Sequence, residues 1–141
     1  MSELALYQQQ LLALHKQPFG FKQKLENAEY KKGSNLACGD VIELQVKREG
    51  DAIKAVAFDG DSCAICRASA SLLCEHLADT NVQNARTIYK ALQGYFSEEQ
   101  DQLPEPYKAL TPIRAFPVRV QCAMLPWTSL LELLESKEHA N

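Results

Sequence analysis

Helices framing a β-hairpin, the makeup of an α+β domain, are what the sequence predicts. Two observations carry the expectation. Apolar and polar residues alternate from Val41 to Lys47, and a second β-rich run from Ala52 to Phe58 follows the turn Glu49-Gly50-Asp51. The segments on either side instead repeat their apolar residues every three or four positions. With 141 residues and 46% apolar content, the chain can bury a core without disulfide staples, and residues 1–141 read as a single domain.

Each element follows in order. Leu4, Tyr7, Leu11 and Leu14 recur at helical spacing, so a helix is expected from about Glu3 to Lys16, ended by Pro18 and Gly20, its stripe packed in the core. Lys22 to Asn35 is polar, and Gly33-Ser34-Asn35 signals a loop delivering the chain to Ala37-Cys38-Gly39-Asp40. The hairpin comes next, broken by Asp59-Gly60-Asp61. Beyond it Ile65, Ala68, Leu72, Leu73, His76 and Leu77 mark the buried side of a helix with Cys63 at or near its start.

A further helix is expected from about Val82 to Phe96, then an acidic, proline-bearing loop from Ser97 to Pro106 and a turn of helix over Tyr107 to Leu110. Phe116 to Gln121 reads as an extended connection. The last helix follows Cys122 and begins near Pro126, with Trp127, Leu130, Leu131 and Leu134 facing inward. There is no internal repeat and no linker.

The formal net charge of −3 offers no general positive field for phosphate backbones, so a nucleic-acid partner is not expected. Met1 to Lys16 holds no continuous apolar run of the kind that directs secretion or spans a bilayer, and a cytoplasmic chain without membrane attachment is the expectation. In a reducing compartment five cysteines, an odd number, suit buried thiols, metal ligands or sulfur chemistry better than a disulfide framework.

Cys38, Cys63 and Cys122 are all expected where elements meet: before a strand, before a helix and before the last helix. Thiolates at helix starts are stabilised by unpaired N–H groups and the helix dipole, and three such loops brought together could hold a soft metal. Their separations of 25 and 59 residues match no compact zinc-finger pattern. Cys63 and Cys66 spell Cys-x-x-Cys, which raises a thiol–disulfide redox protein, although no thioredoxin-like βαβ pattern precedes it. Cys74, inside an apolar helix, reads as core. Asp40 by itself reads as a turn former. His15, His76 and His139 are scattered and suit structural or solvated roles.

Taken together, Leu36-Ala37-Cys38-Gly39-Asp40, the stretch from Val56 to Ile65, Ala68-Ser69-Ala70-Ser71, Phe116-Pro117-Val118-Arg119-Val120-Gln121-Cys122 and the helix carrying Leu6-Tyr7-Gln8-Gln9 resemble the IscU/NifU-type family of iron–sulfur scaffold proteins. Within it the SufU branch is the better match, because the interval from Cys63 to Cys122 accommodates an extra helix and loop, and Gln121 stands where IscU-type members carry histidine. Ser62 replaces a usual glycine, Gln121 a typical SufU lysine, and Cys66 and Cys74 are additional thiols.

The resemblance implies an α+β domain with a small antiparallel β-sheet packed against helices. It also implies a site of Cys38, Asp40, Cys63 and Cys122 that takes Zn²⁺ or a [2Fe–2S] cluster, with Cys38 accepting persulfide sulfur from a SufS-like cysteine desulfurase. Apo iron–sulfur proteins or downstream carriers would receive the product, making the chain a scaffold or zinc-dependent sulfur acceptor rather than a stand-alone enzyme. Arg119 is an auxiliary candidate for holding a persulfide or sulfide by charge-assisted contact, against the plainer reading of a solvated strand-edge arginine. The competing readings are a zinc-stabilised interaction domain with a closed site and the redox protein built on Cys63 and Cys66.

Overall fold

A computed structural model describes residues 2–139, with side chains through Glu135. The order of elements is α1 (Glu3–Lys16), β1 (Glu29–Asn35), β2 (Asp40–Glu49), β3 (Ala52–Asp59), α2 (Ala64–Leu77), β4 (Thr80–Asn81), α3 (Val82–Phe96), a 3-10 helix (Tyr107–Ala115) and α4 (Pro117–His139). The strands form one antiparallel sheet in the order β1-β2-β3-β4. The α+β expectation holds.

The alternation in β2 does what its period requires: Asp40, Ile42, Leu44 and Val46 all turn to the buried face. Helix α2 packs beneath this sheet and is enclosed by α1 and α4, so Ala68, Ser69, Ala70, Ser71, Leu72, Leu73 and Leu77 are buried. Its serines are satisfied. The Ser69 hydroxyl donates to the Ala123 carbonyl at 2.6 Å and accepts the Trp127 indole N–H at 3.1 Å, while Ser71 Oγ accepts the Phe19 N–H at 2.8 Å. The small Ala-Ser-Ala-Ser run thus lets α4 approach α2 closely and pins it there.

Three expectations are corrected. The polar stretch taken for a loop around Gly33 is strand β1, paired with β2 from Glu29↔Val46 to Asn35↔Asp40. Its hydrophobic alternation is missing because it is an edge strand, and Gly33 is there for packing: a Cβ would run into Ser129 of α4. Phe116 to Gln121 is not extended, since α4 starts at Pro117, and Cys122 therefore lies inside the helix rather than before it. Pro126 is interior too, where it cannot donate to the carbonyl of Cys122. Helix α1 has the expected bounds but no fully buried residue; Leu11 and Leu14 pack on the core while Leu4, Leu6 and Leu12 stay exposed. The Tyr107 turn extends as a 3-10 helix to Ala115.

Candidate metal centre

Four backbone devices bring the predicted residues together. Residues 36–39 form the turn between β1 and β2, closed by the Cys38 N–H donating to the Asn35 carbonyl at 3.2 Å and by Gly39 at φ +71°. Asp40, the first residue of β2, is buried directly below. The loop after β3 is drawn against β2 by the Val41 N–H donating to the Asp61 carbonyl at 2.9 Å, and only glycine fits at position 60, because a Cβ would meet the Val41 carbonyl. That loop ends at Cys63, the N-cap of α2. Helix α4, held by Ser69, brings Cys122 from the other side.

The result is a cluster. Ligand atoms of Cys38, Asp40 and Cys122 lie within 4.8 Å of one another. Cys63 joins through Asp40: its backbone N–H donates to Oδ1 at 2.7 Å and its sulfur lies 3.8 Å from Oδ2. The Cys63 sulfur also accepts the Cys66 N–H at 3.4 Å, as a helix N-cap does. The Asn35 side-chain amide reaches the Cys122 sulfur at 3.9 Å, a contact that the sequence did not suggest because Asn35 read as part of a loop. Only its pairing in β1 places it there.

Electrostatically the site crowds acidic groups. Burial pushes the Cys122 thiol above the ordinary thiol range, and Cys38, Asp40 and Cys63 beside it add to the rise. Arg119, one helical turn before Cys122, lies over the cluster from the solvent side: its contact with Cys122 and the charges of Cys63 and Cys38 raise its own pKa further. It is a helix residue, not a strand-edge one. Three thiols and a carboxylate converging beside one guanidinium form a donor set suited to a soft or borderline cation, which offsets their mutual repulsion.

The remaining candidates separate cleanly. Cys66 is fully buried among core residues, where burial first and then the charges of Asp40 and Cys63 push its thiol up to about 12. That makes it a poor partner for thiol exchange with Cys63. Cys74 is likewise buried and its pKa raised by burial. His76 contacts Glu75 at 3.5 Å and stacks edge-on against Tyr107, and His15 is near the end of α1; neither belongs to the cluster. The His139 side chain lies outside the described residues. No helix among the described residues is long and apolar enough to cross a membrane.

Comparison with known proteins bears on the family and the fold. The model of the NifU-like N terminal domain family matches residues 6–111. The zinc-dependent sulfurtransferase SufU of Bacillus subtilis (strain 168) is 29% identical over 140 residues, 96% of this chain and 94% of that protein. The iron–sulfur cluster assembly scaffold protein IscU of Streptococcus pyogenes serotype M1 is 31% identical over 121 residues, 83% of this chain and 76% of that one. Among solved structures, a proposed iron–sulfur cluster assembly scaffold of the SUF system from Fervidobacterium islandicum AW-1 superposes with a TM-score of 0.79 at 27% identity, over 94% of this chain and 99% of its own. An N-terminal NifU-like protein from Brucella abortus has the same fold, with a TM-score of 0.87 at 16% identity over 99% of this chain and 100% of its own.

Proposed function

Since the chain belongs to the family of NifU-like N-terminal domains, we propose that it serves iron–sulfur cluster assembly as a SufU-type sulfur acceptor. Its ligand set is Cys38, Asp40, Cys63 and Cys122. One observation supports this most: ligand atoms of Cys38, Asp40 and Cys122, from the β1–β2 turn, the start of β2 and the interior of α4, lie within 4.8 Å of one another, and the Cys63 sulfur at the start of α2 lies 3.8 Å from the Asp40 carboxylate. Zn²⁺ bound there would supply the positive charge that keeps three neighbouring thiols deprotonated.

Cys38 is the acceptor. It is half-buried on a four-residue turn, whereas Cys63 caps a helix and Cys122 is enclosed in one. Its thiolate attacks the outer sulfur of a persulfide on a cysteine desulfurase; the partner's S–S bond breaks, the partner keeps its thiolate, and Cys38 carries the new persulfide. Arg119 stabilises the anionic sulfur. A half-buried acceptor on a turn also speaks against a closed, inert zinc domain.

A second reading has its own support, because the IscU relatives are scaffold proteins and the same donors suit a [2Fe–2S] cluster as cargo. Anaerobic incubation with a cysteine desulfurase, cysteine and iron, followed by metal analysis and an ultraviolet–visible spectrum, separates the two. Retained zinc with added sulfur on Cys38 supports the acceptor. Displaced zinc and sulfide-to-iron absorption bands support the scaffold, and neither sulfur nor cluster would overturn both.

A further inference from the structure

We infer that Asn35 selects which thiol of the cluster is free to react, holding the Cys122 sulfur in place so that Cys38 is the one released. The inference rests on the sulfur-acceptor reading and adds to it a residue outside the ligand set. Asn35 is the last residue of β1, and three bonds meet on it. Its carbonyl accepts the Cys38 N–H at 3.2 Å, its backbone pairs with Asp40 in the sheet, and its amide donates to the Cys122 sulfur at 3.9 Å, across 87 residues of sequence.

The chemistry follows from what an N–H does to sulfur. A donated hydrogen bond draws on the electron pair that would otherwise attack an electrophile, and it costs free energy to break when that sulfur moves. Cys63 receives such a donor from the Cys66 N–H, and Cys122 from the Asn35 amide, beside its contact with the exposed Arg119 guanidinium. Among the described residues no N–H is bonded to the Cys38 sulfur. Cys122 is also fully buried in α4, while Cys38 rides a turn where Gly39 has nothing within 4 Å of its Cβ position. The turn borders open space at Gly39 and starts from Asn35 itself, so the residue that holds the Cys122 sulfur also anchors the less enclosed turn that carries Cys38.

The test is competitive alkylation of the zinc-loaded protein with iodoacetamide, in which each thiolate displaces iodide to form a thioether, read at every cysteine by peptide mass spectrometry. The wild type should label Cys38 well ahead of Cys122. In Asn35→Ala that preference should fall by about tenfold, the size expected for losing a hydrogen bond to a charged sulfur, and Asn35→Gln should restore part of it. Buried Cys66 and Cys74 report folding in the same spectra; if Asn35→Ala exposes them, Asn35→Ser carries the comparison. A parallel arm with desulfurase and cysteine should find sulfur on Cys38 alone in the wild type and on both Cys38 and Cys122 in the variant. A wild type that takes no sulfur would sink the acceptor reading, while the alkylation ratio still judges Asn35. An unchanged ratio in a folded variant overturns the role given to Asn35.

Discussion

The carboxylate of Asp40 and the backbone of Cys63 are joined by a 2.7 Å hydrogen bond, so the residue best placed to be an oxygen ligand also fastens the start of α2 to the first residue of β2. Asp40 therefore has two separable duties. Its Oδ1 satisfies a buried backbone donor and its Oδ2 faces the Cys63 sulfur at 3.8 Å.

Asp40→Ala should lose about 1–3 kcal/mol of stability in the metal-free protein, because the Cys63 N–H is left without its acceptor. Asp40→Asn, which keeps an acceptor oxygen, should recover most of that stability yet still exchange bound metal more slowly than the wild type, since it lacks the labile carboxylate bond. Urea denaturation and exchange into a chromogenic chelator measure the two effects. Equal stability loss in both variants would contradict the assignment of the hydrogen bond.

Replacing Cys38, Cys63 or Cys122 by Ser should each strongly weaken metal retention, because a hydroxyl is a poor substitute for a thiolate on a soft or borderline metal. Cys74→Ser should leave metal content nearly unchanged, its side chain being buried apart from the cluster. Metal analysis after dialysis against a chelator distinguishes these variants, and uniform loss across all four would remove the basis for the ligand set.

Ser69→Ala should disturb the site from the core side. It leaves the Trp127 indole N–H and the Ala123 carbonyl without their shared partner, at a cost of about 1–3 kcal/mol. Ala123 adjoins Cys122, so metal affinity should fall along with the melting temperature. A variant that loses stability while keeping wild-type metal affinity would show that the contact between α2 and α4 does not tune the site.

Alkaline pH should destabilise the fold through its buried thiols. Burial raises the Cys74 pKa above the ordinary value of 9.0. The folded state thus holds its proton where the unfolded chain releases it, and the stabilisation is present below about pH 9 and is lost as pH rises further. Thermal melts of the metal-free protein from neutral to alkaline pH should show a shallower decline in Cys74→Ala than in the wild type. Identical slopes would mean that Cys74 is already ionised, or already exposed, in the folded protein.

Sequence patterns alone determined the elements whose order depends on local chemistry. The alternation through Ile42, Leu44 and Val46 required a strand with one buried face, and the stripes through Leu72 and Val82 required helices; both follow from side-chain periodicity, which a sequence displays directly. The approach of Cys38, Asp40, Cys63 and Cys122 was implied by family resemblance, not by spacing. Tertiary structure decided the rest. Strand β1 has no apolar alternation to announce it and exists because β2 offers an unpaired edge, and its Gly33 looked like a turn signal although it is needed for close packing against Ser129. Pro126 looked like a helix start because prolines favour that position, yet Pro117 takes it and α4 runs on through Pro126, held against α2 by Ser69. Cys122 consequently faces the cluster from within a helix, and Asn35 reaches its sulfur only because the edge strand ends beside it. Both placements depend on contacts between residues far apart in the chain, and local sequence carries no record of such contacts.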